Sequence, residues 1–442
     1  MDKNIPTSKL GRGKVVGKAL LKIGSTKTKG YIKRSLGNKQ CAETTKEETS
    51  QEIADIVFDA LGELKGVSVK IAQQVAIGMP FLSPTYLKKI SCSFNAIPSI
   101  NKALVRKIIK TELGKYPNEI FDTFENKAFA AASLGQVHLV TENNRKLAVK
   151  VQYPGIKKSI KSDMALIHFG LKRFAKGHNV NHIITEIEER LYEEVDYELE
   201  AKNYDFFREN LNIKQIVIPN IYHNFSSKKV LTSSFLEGID FENYLDSNPS
   251  EEEKNTYAQL IFDSFFHALY HLKRIHADPN PGNFIFMEDK KLGLIDFGCI
   301  KKINVDFLDS YNALHLDLLR NESDEILIEH YIKLGMITKD STENMLTFYR
   351  EVIKPLDRLY IEPIASEVYD FSVHKDFSKR GFECIFEVQK KQFNSVHQVN
   401  EEYIFLDRTL LGYYAIFEKM GAKIETKFVR QLMKDFEGKK NG

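Results

Sequence analysis

The chain has little of what would commit it to a disulfide-stapled or zinc-built fold. Its 442 residues include four cysteines, Cys41, Cys92, Cys299 and Cys384, with no C-x-x-C pair among them. That scatter argues against a disulfide framework and a zinc site, and it points to a reducing compartment. Long apolar runs are also missing. The richest stretch, LIFDSFFHALYHL from Leu260, is broken by Asp263, His267 and His271, short of the roughly 18 apolar residues a spanning helix needs. A net charge of only +3 gives no whole-chain field for nucleic acid, which is excluded as a partner on electrostatic grounds. No internal repeat or low-complexity tract stands out.

What is present fits a folded globular protein: 43% hydrophobic and 28% charged residues. The length exceeds one small domain, so two lobes or one domain with long extensions is expected. Residues 1–40 differ from the rest, with eleven Lys or Arg against one Asp. Lys14, Lys18 and Lys22 are spaced four apart, with Val15, Val16, Leu20 and Leu21 between them. The stretch lacks the apolar core and cleavage site of a secretory signal. It reads either as a solvated arm or as a basic amphipathic surface making peripheral contact with an anionic membrane. Glycines at 11, 13, 17 and 24 weaken a helix there. The expected location is cytoplasmic, with that peripheral contact.

Four segments follow from the periodicity: the basic arm 1–40, a helical extension 41–118, a mixed lobe 119–238 and a mainly helical lobe 239–442. Within the mixed lobe, SLGQVHLVTENNRKLAVKVQYPG reads as two strands around the turn ENNRK. Long helical patterns follow, then two short strands, IVIPNIY and KVLTSSFLEG. The fold class is α+β, and a strand-and-helix lobe followed by a helical lobe places a ligand cleft where they meet.

Phosphoryl transfer from a nucleotide needs a lysine for the phosphates, an acid holding it, metal ligands and a covering loop. Lys150 ends AVK on the second strand of the hairpin; alone, it is one lysine among many. Asp296 begins DFG directly after the apolar strand LGLI, thirteen residues beyond Asn283. Asp278 and Asn283 have the D-x-x-x-x-N spacing of a kinase catalytic loop. Prolines around them, in HADPNPGN, fix a non-helical loop that aims oxygen ligands at one Mg–phosphate group.

These segments together with AAASLGQVH from Ala130 and EEVDYELEAKN resemble the UbiB/ADCK family of atypical protein-kinase-like proteins, over roughly residues 52 to 425. The resemblance implies a bilobal protein-kinase-like fold with an N-terminal helical extension. It implies ATP and Mg²⁺ as cofactors, Asp296 and Asn283 as metal ligands, Asp278 facing the acceptor, and Glu200 pairing with Lys150. Ala130, Ala131, Ala132 and Ser133, with Gly135, stand where ordinary kinases carry G-x-G-x-x-G over the phosphates. Alanine disfavours the positive φ that glycine adopts, so a stiffer loop with altered nucleotide handling is expected. Glu194 and Asp196 match the family's E-x-D motif, on a helix read as continuous through Glu200. Lys70 and Gln73 in VKIAQQ match its K-x-G-Q motif, with Ala72 in place of glycine, and the two motifs are expected to form a gate. Ala277 in HAD replaces the arginine that reads a phosphorylated activation loop.

The implied activity is hydrolysis or transfer of phosphate from Mg-ATP in isoprenoid-lipid or quinone biosynthesis, with a lipid or isoprenoid ligand and lipid-biosynthesis enzymes as partners. A small-molecule kinase of the aminoglycoside or choline type is an alternative, as is a non-catalytic scaffold gated by nucleotide.

Overall fold

In the computed structural model of the chain, the residues described are 9–36, 49, 52, 56, 59–60, 100–132, 134–174, 181–381, 383–384 and 401–438. Cys41, Lys70, Ala72, Gln73, Cys92 and Ser133 lie outside them. The chain divides into two compact units. One comprises the described residues of Met1–Ala201 with Ile221–Phe235, the other Lys202–Asn220 with the described residues of Leu236–Gly442.

The first unit opens with helix α1, Lys9–Leu36. The glycines expected to weaken it do not interrupt it, because one face is packed. Ala19, Ile23 and Thr26 are buried, and the Thr26 hydroxyl donates to Glu52 Oε1 at 3.1 Å. Such tertiary packing, rather than intrinsic propensity, stabilises most protein helices. Helix α2, Lys102–Leu113, is capped at its start by the Asn101 side chain, which accepts from the Ala103 amide, and at its end by Gly114 at φ 82°. Both caps satisfy backbone groups that the helix leaves open.

A five-stranded antiparallel sheet follows, built from β1 (Thr123–Phe124), β2 (Ala130–Ala132), β3 (Gly135–Glu142), β4 (Arg145–Gln152) and β6 (Val230–Ser234). The β3–β4 hairpin turns on Asn143 and Asn144, at φ 51° and 60°. Two consecutive left-handed residues make the type I′ turn whose twist suits a two-residue hairpin, and asparagine tolerates that conformation well. Because strand side chains alternate, Leu147, Val149 and Val151 share one face of β4, where they pack with Val105 and Ile109 of α2. Ala148, Lys150 and Gln152 belong to the opposite face. The unit is completed by helices α3 (Ile156–Phe174) and α4 (Asn181–Glu194) and by the first turn of α5 (Tyr197–Asn210).

In the second unit, α5 continues from Lys202. Strand β5 is confined to Ile216–Val217 and runs parallel to β9 (Lys291–Leu294), which is antiparallel to β8 (Phe284–Met287). The segment IVIPNIY, expected as one strand of the mixed lobe, divides: Ile216–Val217 pair with β9 in the second unit, while Ile221 bridges Ser233 of β6 in the first. Pro219 lacks an amide proton and cannot extend the ladder. Strand β7 (Arg274–His276) pairs with β10 (Ile300–Lys302), bracketing the loop and strands between them. Helices α6 (Glu251–His267), α7 (Val305–Arg320), α8 (Lys354–Ala365) and α9 (Glu401–Met420) supply most of this unit's core.

Candidate functional site

On the first unit's sheet, Lys150 Nζ donates to both carboxylate oxygens of Glu200, at 2.8 and 3.0 Å. Glu200 is only 1% exposed and Lys150 16%, so water screens the pair weakly. The Tyr197 ring lies 5.1 Å below the ammonium group and adds a cation–π contact. Helix α5 carries both Tyr197 and Glu200, and its entry is fixed by the buried Gln152, whose amide donates to the Val195 carbonyl at 2.8 Å.

The E-x-D segment is not one continuous helix. Helix α4 ends at Glu194 and α5 starts at Tyr197. Asp196 is the cap between them, its carboxylate accepting the Leu199 amide at 3.1 Å. A short acid that can bond an open amide favours this break. Asp196 therefore caps α5 instead of continuing α4, and its carbonyl accepts the Glu200 amide at 2.9 Å. Glu194 is half-buried at the end of α4. Lys70 and Gln73, the other half of the expected gate, are outside the described residues.

Ala130 to Ala132 form strand β2, paired with β3 from Ala132↔Gly135 to Ala130↔Val137. Ala130 and Ala131 are exposed, and Ser133 lies outside the described residues. Gly135 has a packing reason of its own. A Cβ there would meet the Val151 carbonyl oxygen at 2.6 Å and the Tyr197 hydroxyl at 2.7 Å.

In the second unit, the D-x-x-x-x-N loop is rigid by its own hydrogen bonds. The Asn280 amide donates to the Asp278 carbonyl at 2.8 Å, and the Asn283 amide to the Asn280 carbonyl at 3.0 Å. Asn283 Nδ2 donates to the Asp278 carbonyl at 3.1 Å and faces its carboxylate at 3.5 Å, which turns the Asn283 carbonyl oxygen away from Asp278. Pro279 packs on α9 at Gly412, where a Cβ would lie 2.3 Å from the Pro279 ring. Next along α9, the Tyr413 hydroxyl donates to the His276 carbonyl at 3.0 Å.

Asp296 is brought beside Asn283 by the β8–β9 pairing, which ends in an Ile295 amide to Asn283 carbonyl bond of 3.0 Å. The aspartate itself is left-handed, φ 63°, a conformation that costs a non-glycine residue about 1–2 kcal/mol. Three groups hold it there. Its amide donates to the Tyr204 hydroxyl oxygen at 2.7 Å. Its carbonyl accepts from His276 Nε2 at 2.7 Å, which places the imidazole proton on that nitrogen. Its carboxylate accepts the Gly298 amide at 3.3 Å. Phe297 is fully buried against the Tyr204 ring, 4.6 Å between centroids, and its carbonyl accepts from Asn203 Nδ2 at 3.0 Å.

Asn203, Tyr204 and His276 were not among the residues singled out from the sequence. Asn203 and His276 stand at the ends of segments that were, EEVDYELEAKN and HADPNPGN; Tyr204 follows the first and carried no signal. In kind, the two expected metal ligands suit a hard divalent cation: Asn283 and Asp296 offer an amide and a carboxylate oxygen, the atoms Mg²⁺ takes.

A lysine–glutamate pair on an antiparallel sheet in one unit, with a D-x-x-x-x-N loop and a left-handed D-F-G aspartate in the other, defines a protein-kinase-like protein. Residues 93–330, more than half of the chain, match the ABC1 atypical kinase-like domain, and the chain belongs to that family, the UbiB/ADCK group. A relative named probable serine/threonine-protein kinase abkA, from Dictyostelium discoideum, is 26% identical over 400 residues, 85% of this chain and 69% of that protein. The zebrafish (Danio rerio) protein named atypical kinase COQ8B, mitochondrial, is 27% identical over 323 residues, 70% of this chain and 51% of its own length. A chloroplastic aarF domain-containing protein kinase of Arabidopsis thaliana is 30% identical over 295 residues, 65% of this chain and 41% of that one. The chain thus spans about half of the length of the latter two. Among solved structures, the erythromycin complex of Rv3197 from Mycobacterium tuberculosis matches with a TM-score of 0.59 at 23% identity, over 88% of this chain and 97% of that one. At that identity the likeness concerns the fold alone.

Proposed function

We propose that this kinase-like chain binds Mg-ATP and hydrolyses it or transfers its terminal phosphate, in support of isoprenoid-lipid or quinone biosynthesis. The observation that carries the reading is the buried Lys150–Glu200 pair, which holds an ammonium group in one orientation for phosphate oxygens. Asp296 and Asn283 hold the metal and Asp278 positions the acceptor hydroxyl or water. Mg²⁺ held by Asp296 and Asn283 would supply the positive charge that offsets the phosphate's negative charge. The lipid setting, and lipid-biosynthesis enzymes as partners, rest on the family resemblance.

Asp296→Asn deletes a ligand's charge at almost constant shape, so nucleotide-dependent thermal stabilisation in Mg²⁺ should vanish while the nucleotide-free melting temperature holds. Stabilisation equal to wild type would remove Asp296 from the metal site. ATP consumption measured with and without isoprenoid lipid tests the setting, and an unchanged rate counts against it.

The same proposal includes peripheral contact with an anionic membrane through α1. Lys14, Lys18 and Lys22 are exposed on it, and Leu21 is 78% exposed. Among the described residues no helix is long and apolar enough to cross a membrane. Each lysine near an anionic surface contributes about 1 kcal/mol. Reversing all three to Glu should abolish co-sedimentation with phosphatidylserine vesicles at low salt, and retained binding would leave α1 without that role.

A further inference from the structure

The amide of Asp296 emerges just past the last rung of the β8–β9 ladder, where no strand neighbour takes it. A backbone donor without a strand partner needs another acceptor, and here α5 provides one through a side chain, the Tyr204 hydroxyl at 2.7 Å. Tyr204 is 5% exposed, and its ring already fills space against Phe297. A phenylalanine would keep that packing, so the oxygen has a separate task. Its bond fixes the peptide preceding the Asp296 Cα, while His276 fixes the peptide that follows. Together they set the direction in which the carboxylate leaves the backbone.

We propose that Tyr204 is a positioning residue whose hydroxyl holds Asp296 in its left-handed conformation and thereby aims the carboxylate at the metal. This rests on the reading of Asp296 as a metal ligand. Groups that orient a ligand from outside the coordination sphere tune metal affinity. Mg²⁺ demands near-ideal octahedral geometry, whereas Ca²⁺ accepts distorted sites. Loss of the hydroxyl therefore penalises Mg²⁺ more than Ca²⁺, a discrimination that a purely structural role would not produce.

The test is Tyr204→Phe in the full chain, with Tyr257→Phe as the matched control. Tyr257 donates to the Met287 carbonyl at 2.6 Å in the same unit, so the control also loses one hydroxyl bond. Hydrogen–deuterium exchange of the nucleotide-free protein should show faster exchange confined to the peptide carrying the Asp296 amide in Tyr204→Phe, and no change there in Tyr257→Phe. Titrating metal against the protein with a non-hydrolysable ATP analogue, read by thermal shift, should raise the half-saturating Mg²⁺ concentration about three- to tenfold, the loss expected of one hydrogen bond. The half-saturating Ca²⁺ concentration should change less than about twofold. Equal shifts for both metals, wild-type exchange at Asp296, or the same effects in Tyr257→Phe would overturn the proposal. Asp296→Asn separates the two claims. If it keeps a wild-type Mg²⁺ response, the ligand reading fails; if it loses the response while Tyr204→Phe keeps it, only the positioning role of Tyr204 fails.

Discussion

Replacing Lys150 with Met should destabilise the protein strongly and in a pH-dependent way, and the magnitude follows from the burial of Glu200. Methionine matches the lysine stem but leaves the carboxylate, 1% exposed, without its cation. A buried carboxylate in that position escapes by taking up a proton. Neutralising a glutamate with an ordinary pKa near 4.3 at pH 7 costs about 2.7 units at 1.36 kcal/mol each, or ~3.7 kcal/mol. That lies within the roughly 3–5 kcal/mol observed when one member of a buried pair is removed. At pH 5 the same step costs only ~1 kcal/mol. The sign is that of a carboxyl neutral in the folded variant: stability is present at low pH and lost as pH rises. Urea denaturation followed by far-UV circular dichroism at both pH values measures the difference. Adding Glu200→Gln to Lys150→Met removes the charge needing neutralisation, and the double variant should recover most of the loss at pH 7. A single variant destabilised equally at pH 5 and 7, or one no less stable than wild type, would refute the idea that Glu200 is a buried anion held by Lys150.

The remaining predictions concern the second unit. Gly412→Ala places a methyl 2.3 Å from the Pro279 ring, between a helix backbone and a rigid ring, so a loss of about 1–3 kcal/mol is expected; calorimetry showing no loss would mean that loop and helix separate freely. Asp357 and Asp407 are buried together, and burial raises both carboxyls well above the usual range. A raised folded pKa means that stability is fully present below about pH 3.9 and is lost as pH rises through the folded value. Asp407→Asn keeps an acceptor for the Tyr311 hydroxyl, which donates to Asp407 at 2.7 Å, so its stability should fall less steeply between about pH 4 and 8 than wild type, and an unchanged slope would place the titration elsewhere. His315 is the opposite case, its pKa lowered to about 3 by burial. Its contribution is present above about pH 6.5 and lost as pH falls toward 3, so a fluorine- or NMR-observed His315 that titrates near 6.5 would contradict the burial.

The elements that carry chemistry were legible where local pattern and tertiary role coincide. The β3–β4 hairpin, with its asparagine turn, and the apolar strand before Asp296 were read within a few residues of their observed ends. Glu200 was assigned to Lys150 only through family resemblance, because nothing in a run of acids says which one turns inward. The break at Asp196 was missed because capping and a continued helix use the same acidic residues. The segment IVIPNIY was read as one strand but is split, because the two-residue strand β5 owes its existence to its neighbour β9 while Ile221 turns to β6. Tyr204 was invisible for a related reason: a helical tyrosine signals packing, and only the end of a ladder elsewhere in the fold gives its oxygen an amide to accept. Gly135 shows the converse, a residue noticed for one reason and held for another. It was read as the last glycine of a phosphate-covering loop, yet its hydrogen keeps β3 clear of the Val151 carbonyl and the Tyr197 hydroxyl. Gly135→Ala must move either the β4 backbone or the Tyr197 ring, which lies 5.1 Å from Lys150 Nζ. Neither is the flexible end of a long side chain, so the substitution should cost about 1–3 kcal/mol in the nucleotide-free protein. A glycine needed only for a bound phosphate would show no such cost without nucleotide. Ala130→Gly, on the exposed strand β2, serves as the comparison and should change stability within about 0.5–1 kcal/mol. If Gly135→Ala melts with wild type in the absence of nucleotide and loses only nucleotide binding, the packing explanation is wrong and the phosphate-loop reading of Gly135 stands.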